Sequence, residues 1–438
     1  MNRNKEYYEK TFRMLEAHHK WFSESIPLIA SENIPSPAVR ETLISDLGNR
    51  YAEGWPGERV YAGCTYIDQI ELIAIEEAKK LFQCEFVDVR PVSGVCANLA
   101  IYTAFTSPGD YMMCLSIPSG GHISMGKAEL GGTAGAVHGL KTEYFQFDYD
   151  EMNIDVERTK NRVNELEKSG INIKLVMFGG SVLLFPHPVK ELVDFFKEKG
   201  AFVCYDAAHV IGLIAGRKFQ DPLREGVDAI TCSTHKTLFG PQGGMILSYD
   251  KYAEKIKKAV FPGNVSNHHL HSVAGKAIAF AEALEFGEQY AAQVIKNSKA
   301  LANALASKGM KVVGEKRGFT ESHIVLLEIT KYGLGGDLER KLEKANIICN
   351  RNLLPWDIKE GRHFANPGGL RFGVSELTRL GMREGDMDIV AELIVDVIVR
   401  NKNLDEVKTK VKEFRKDFKK IHFCFEPSRG PYEYIKVR

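Results

Sequence analysis

The chain has 438 residues, 44% of them hydrophobic and 26% charged, an ordinary globular mix that exceeds what one hydrophobic core supports and so implies at least two domains. A net charge of +1 with no basic block excludes nucleic acid as an expected partner. The opening Met1-Asn2-Arg3-Asn4-Lys5-Glu6 has no apolar core of a signal peptide, and Ile389 to Val399 is too short and too charged to span a bilayer, so no membrane and a cytoplasmic location are expected.

Lys5 to Ser23 reads as an amphipathic helix. Residues 24–65 are punctuated by Ile34-Pro35-Ser36-Pro37 and Gly54-Trp55-Pro56-Gly57, the texture of loops or connectors. Helices are expected over Asp68 to Phe82, Ala97 to Phe105 and Val189 to Lys199, alternating with strands at Phe86 to Pro91, Tyr111 to Leu115, Lys174 to Phe178, Ala201 to Tyr205, Ala229 to Cys232 and Met245 to Ser248. Several of these strands are apolar on both faces, as in a parallel sheet covered by helices, which makes this an α/β domain. The sequence turns irregular near Gly263, and a long helical region follows from Ser272 to Gly309. Beyond it, strands at Lys311 to Val313, His323 to Ile329, Ile347 to Cys349 and Leu370 to Gly373 mix with helices at Leu338 to Ala345, Gly385 to Arg400 and Leu404 to Lys419, the order of a smaller α+β domain. The eight cysteines contain no C-x-x-C pair and read as reduced thiols rather than a disulfide or zinc framework.

Four motifs carry chemistry. Val92-Ser93-Gly94-Val95 opens a helix, where free backbone N–H groups and the positive dipole end suit a phosphate, although serine caps helices everywhere. Gly120-Gly121-His122 follows a strand and offers an imidazole that could lie flat on an aromatic ring; a lone loop histidine is more often a hydrogen-bonding residue. An apolar strand ends in Asp206, with His209 three residues on, which suits a cationic ring nitrogen or, alone, a helix cap or loop salt bridge. Another short strand delivers Ser233, His235 and Lys236 into the Gly-rich turn Gly240-Pro-Gln242-Gly243-Gly244. A lysine enclosed by apolar strands is costly unless neutral or covalently used, and a Schiff base meets that condition. Together, and in this order, these features are what pyridoxal 5'-phosphate (PLP) demands.

At these residues the chain resembles the serine hydroxymethyltransferases, nearly end to end. The resemblance is carried by Leu28-Ile-Ala-Ser31-Glu32-Asn33, Tyr51-Ala-Glu53-Gly-Trp-Pro-Gly-Glu-Arg-Val-Tyr61, Gly120-Gly-His122, Asp206-Ala-Ala-His209, Ser233-Thr-His235-Lys236-Thr and Gly369-Leu-Arg371-Phe-Gly373. Phe178-Gly-Gly-Ser181, Gly240-Pro-Gln-Gly-Gly244, Ser266-Asn-His-His-Leu-His271 and the tail from Ile421 to Arg438 are most similar to the archaeal branch. The resemblance implies a fold-type I, aspartate aminotransferase-like PLP transferase: an N-terminal helical arm with an active-site segment (1–66), a large PLP-binding α/β domain with a mostly parallel sheet (67–288) and a small C-terminal α+β domain (289–438). It implies that Lys236 carries the cofactor, with Asp206 on the ring nitrogen, His209 near the ring hydroxyl and His122 stacked on the ring. Ser93, Gly94 and Val95 would bind the phosphate, and Ser181 and Ser233 would line the cofactor. Tyr51 and Gly263 would reach the cofactor of a second subunit, making the protein a homodimer with shared sites. Ser31 and Arg371 would hold the substrate carboxylate beside Tyr61, Glu53 would move protons at the substrate hydroxyl, and His235 would tune the lysine. The implied reaction converts serine to glycine and passes one carbon to tetrahydrofolate or tetrahydromethanopterin.

Some positions depart from the family pattern: Val60, Met125, Gln242 and Ser266-Asn267. Val60 and Met125 are expected to face the one-carbon acceptor. This keeps open a pterin-independent aldolase or transaldolase acting on threonine or another β-hydroxy amino acid, while intact Lys236, Asp206 and Arg371 speak against a PLP-fold protein without turnover. No metal is expected: His268, His269 and His271 have no evident carboxylate or cysteine partner and fit a loop at the cofactor or dimer interface better.

Overall fold

The computed structural model describes residues 3–438. Its first element, α1 (Arg3–Ser23), buries none of its residues and turns Tyr7, Tyr8, Met14 and Leu15 outward. A seven-stranded sheet forms the centre: β1 (Phe86–Asp88), β2 (Tyr111–Cys114), β3 (Lys141–Tyr144), β4 (Ile173–Gly179), β5 (Phe202–Asp206), β6 (Ala229–Ser233) and β7 (Gly244–Ser248), in the spatial order β1-β7-β6-β5-β4-β2-β3. The neighbours from β3 across to β6 are parallel. β7 runs antiparallel to both β6 and β1, because the turn after Lys236 is too short for the crossover that a parallel return requires. β6 and β7 are buried at every position, which explains their unbroken apolar runs.

Helices α2 (Thr65–Phe82), α3 (Gly94–Phe105), α4 (Val189–Glu198) and the 38-residue α5 (Leu270–Ser307) cover the sheet. α5 packs on α2 at one end and on α7 (Glu384–Ile398) at the other, and runs unbroken through residues 288 and 289. The C-terminal sheet is antiparallel, in the order β8 (Lys311–Val312), β9 (Ile324–Glu328), β11 (Gly369–Gly373), β10 (Asn350–Asn352), flanked by α6 (Gly335–Lys344), α7 and α8 (Leu404–Arg415). In this sheet Arg371 stands in register between Leu326 and Asn350. Ile26–Pro27 pairs in parallel with Ile347–Ile348, and the Gly373 N–H donates to Leu28 O over 2.8 Å, so the Ser31 loop is tied to the strand that carries Arg371.

Among the described residues, three helices longer than five residues fall where no element was expected, Pro37–Leu43, Val156–Lys168 and Ala253–Val260, as do the short helices Thr133–Ala136, Ile211–Ala215 and Ser375–Arg379. The last helix stops at Arg415 rather than Lys419, where the Arg415 guanidinium turns back to donate to Phe418 O. All eight cysteines are free thiols, and among the described residues no helix is long and apolar enough to cross a membrane.

Candidate active site

The C-terminal ends of β2, β4 and β5 interlock through glycines. Gly180 N–H donates to Asp206 O, while Ser181 and Val182 N–H both donate to Gly120 O. A Cβ on Gly179 would lie 1.9 Å from Asp206 O, and one on Gly120, itself at φ +104°, would lie 2.4 Å from Val182 O, so only glycine permits this approach. His122, Ser181 and Asp206 are thereby brought to one edge, the place where open α/β sheets bind ligands.

Asp206 is buried and its geometry is fixed on both sides. Asn98 Nδ2 donates to Oδ2 over 2.9 Å and the Ala208 N–H donates to Oδ1 over 2.9 Å. Asn98 also bonds Ser124 Oγ and Thr231 Oγ1, and Ser124 Oγ lies 2.8 Å from His122 Nδ1. The Ser124 N–H donates to that same Nδ1, so the proton of the neutral ring sits on Nε2. Burial first, then the charges of Lys236 and Arg371, keep His122 below the usual histidine range.

Ser93 caps α3, its Oγ accepting from Cys96 N–H, which leaves the Gly94 and Val95 N–H groups directed out of the helix start. Ser233 closes against this cup: a Cβ on Gly94 would be 2.5 Å from Ser233 Oγ. Lys236 follows, mostly buried, with no hydrogen-bond partner for its amine among the described residues. Burial pulls its pKa down to about 8; Asp206 opposes that shift and Arg371 adds to it. His235 is pushed down to about 4 by burial and the charges of Lys236 and Lys276, and its buried Nδ1 has no partner among the described residues. His209 is fully enclosed, held far below the ordinary histidine value by burial, and lies against His323 with Nδ1···Nε2 at 3.4 Å.

Arg371 is buried, yet its only partners among the described residues are neutral oxygens: Ser181 O at 2.9 Å and Asn350 Oδ1 at 3.2 Å. Burial alone lowers its pKa to about 10. A buried guanidinium without a carboxylate is an unfilled two-pronged receptor for one. His122, Ser181 and Arg371 form the floor of a cleft of about 410 Å³, walled by Ile117, Ile123, Val182, Leu353 and Phe364.

Tyr51, Glu53 and Tyr61 form a second cluster. Ser266 Oγ bonds both Tyr51 OH (2.9 Å) and Glu53 Oε1 (2.7 Å), and the Tyr51 and Tyr61 rings pack at 4.9 Å. Tyr51 is 45% and Tyr61 46% exposed, and among the described residues no hydrogen bond, ion pair or ring contact joins this cluster to Lys236 or Arg371. Gly263 is likewise exposed, just beyond the helix Ala253–Val260. Ser31 is half-buried in the loop tied to β11.

Two expectations need correction. Met125 does not face the cleft: it is fully buried with Ala97, Tyr102 and Cys114, because the short 3-10 turn Ile123–Met125 swings it into the core, whereas Val60 is 68% exposed. His268 does have a carboxylate partner, Glu71, with Nε2 2.7 Å from Oε2. Several site-building residues were not singled out. Asn33 donates to Lys236 O (2.7 Å), Asn98 orients Asp206, and His323 donates through Nε2 to Ala30 O (3.1 Å). Asn98 is a lone amide in an apolar helix, and that oddity was the available signal; Asn33 and His323 act through residues far away in sequence and gave none.

The residues fit PLP by their own geometry: an unpaired buried amine, a glycine cradle at a helix start that a methyl group would fill, a fixed carboxylate and an unfilled guanidinium. Comparisons agree with this reading. The family model described as "Serine hydroxymethyltransferase" matches residues 5–394. A protein of that name from Nitrosopumilus maritimus (strain SCM1) is 60% identical over 437 residues, covering 100% of this chain and 99% of the relative. Those from Cenarchaeum symbiosum (strain A) and Methanopyrus kandleri are 59% and 49% identical, covering 98% and 97% of both chains.

Proposed function

The chain belongs to the serine hydroxymethyltransferase family, a fold-type I PLP-dependent transferase that converts serine to glycine with a folate-type cosubstrate, and from that premise we propose how its own residues divide the work. The observation that carries the proposal is the buried Lys236 amine standing under the opposed influence of Asp206 and Arg371. PLP, when bound, supplies an electron sink for the pair released when a bond at the substrate Cα breaks.

Lys236 is the amine that holds the cofactor, and once freed it moves a proton at the substrate Cα. Its lowered pKa leaves a useful fraction as the neutral base near pH 8. Ser93 with the Gly94 and Val95 N–H groups would bind the phosphate, Asp206 would hold a proton on the ring nitrogen, and His122 would lie beside the ring. His209, Ser181 and Ser233 complete the surround, and neutral His235 adds no charge against the amine. Arg371, with Ser31, binds the amino-acid carboxylate, which sets the bond to the hydroxymethyl carbon upright for cleavage. Glu53 moves the hydroxyl proton, with Tyr61 beside Arg371.

Tyr51, Glu53, Tyr61 and Gly263 serve the Lys236 of a second copy, so the working unit is a homodimer with shared sites. The exposed aromatic and apolar side chains of α1 and of Tyr51, Val60 and Tyr61 support this reading. The sheet and its helices form the cofactor domain over 67–288 and the remainder the smaller domain over 289–438, with α5 as their common spine. Tetrahydrofolate or tetrahydromethanopterin is the acceptor at the cleft mouth.

Glycine formation from serine, measured with each pterin, tests the proposal. The wild-type chain should turn over with one of them, and Lys236→Ala should bind serine without multiple turnovers. Full activity in Lys236→Ala, or no pterin-dependent cleavage by the wild-type chain, would contradict it.

A further inference from the structure

Lys276 interrupts the apolar face of α5 and is buried. Sequestering an ammonium group is expensive unless something compensates it. No carboxylate lies within ion-pair distance among the described residues. Its Nζ donates instead to three carbonyls: Val89 O at 2.6 Å, Gly244 O at 2.9 Å and Pro91 O at 3.4 Å. Carbonyl dipoles hold the group in place but leave a net positive charge inside the protein below about pH 8, the value to which burial lowers the Lys276 pKa.

Those carbonyls belong to the two segments that build the cofactor site. Val89 and Pro91 lead directly into Ser93-Gly94-Val95. Gly244 opens β7 at the end of the turn that follows Lys236, and its N–H donates to Pro91 O over 2.9 Å. The segments touch: a Cβ on Gly244 would lie 2.2 Å from Ser93 O, and one on Gly243 would lie 2.8 Å from Lys276 Nζ. The ammonium therefore sits behind the helix start and draws the carbonyls of 89–91 backward. The neighbouring cation, Arg90, is already paired with Asp88. Gln242 in the same turn is neutral and exposed, and Lys236 is the amine that the cofactor consumes.

We propose that Lys276 is a positioning residue for the cofactor phosphate: its buried charge presets the Ser93-Gly94-Val95 cup for a dianion, and the dianion supplies the missing countercharge. The interaction passes through the cup and needs no direct contact. Its charge also helps to keep His235 neutral, which places it electrically close to the lysine turn. This rests on the PLP reading above but concerns a residue outside that assignment.

The test compares PLP with pyridoxal, which lacks the phosphate. Dissociation constants for both are measured on the apoenzymes of wild type, Lys276→Met and Lys276→Gln, by absorbance of the bound cofactor, alongside the rise in melting temperature that inorganic phosphate gives each apoenzyme. Both variants should lose PLP affinity by on the order of tenfold or more while pyridoxal affinity stays within about twofold, and phosphate should stabilise only the wild-type chain. Equal losses for both ligands, an unchanged PLP-to-pyridoxal ratio, or failure of both variants to fold would assign Lys276 to tying β1 to β7 irrespective of the cofactor and overturn the proposal. A wild-type chain that binds neither ligand would instead overturn the functional reading beneath it.

Discussion

Among the described residues Lys236 has no anionic partner in contact, and its pKa of about 8 has a kinetic consequence. Only the unprotonated amine attacks the carbonyl carbon of PLP. Attachment of PLP to the apoenzyme should therefore accelerate about tenfold per pH unit below 8 and level off above it. Because the Arg371 charge helps to depress that pKa, Arg371→Gln should move the same profile to higher pH; stopped-flow absorbance from pH 6.5 to 9.5 reads both, and an unmoved profile would sever the link. Arg371→Gln should also weaken serine binding by roughly 100-fold, since it removes the charged fork for the carboxylate. The lysine was legible because an apolar strand has no reason to deliver a surface lysine into a glycine turn. Met125 was misjudged because two residues of 3-10 turn after His122 reverse the direction of a side chain, which no spacing rule signals. Asn33 and His323 owe their roles to neighbours more than 200 positions away.

At the scale of elements, the segment from Tyr51 to Tyr61 has no regular structure and is held chiefly by the Arg59 guanidinium, with Arg90 also donating to Gly54 O. Arg59, 3% exposed, donates to Ala52 O, Gly54 O, Asp68 Oδ1 and Glu71 Oε2, and Glu71 in turn bonds His268. Arg59→Met removes the cation shared by Asp68 and Glu71 and should cost about 3 kcal/mol. It should lower turnover while PLP still binds, because the cup lies on other elements; calorimetry with an absorbance titration separates the two effects. The C-terminal tail is sealed by a second buried acid. Glu376 bonds the Tyr432 hydroxyl, and burial raises its pKa from 4.5 to about 7. The folded chain holds this proton more tightly than the unfolded one, so the associated stability is complete below pH 4.5 and is lost as pH rises through about 7. Glu376→Gln should remove that slope and gain up to about 3 kcal/mol at pH 8, measured by denaturant unfolding. Helices and strands with clean apolar periods were readable from sequence to within a few residues. Val156–Lys168 was not, since most of its residues are charged or polar and only Thr159, Val163 and Leu166 are buried.

For the whole molecule, the proposed dimer makes each chain the carrier of two half-sites. His122 and Arg371 line one cleft and interact electrostatically with Lys236 and Asp206, while Tyr51 and Glu53 gather separately on the surface, bonded through Ser266, with the Tyr61 ring packed on Tyr51. The motifs named both sets, but a linear sequence cannot show that they do not meet within one chain. The measurement that tests this account most directly is subunit complementation. Lys236→Ala and Glu53→Gln chains, each purified with little or no serine cleavage, are unfolded together, refolded as a 1:1 mixture and assayed for glycine formation. A two-fold dimer with shared sites gives half heterodimers, each with one intact site, so about one quarter of wild-type activity should return. Activity no greater than the sum of the two parent variants would contradict it.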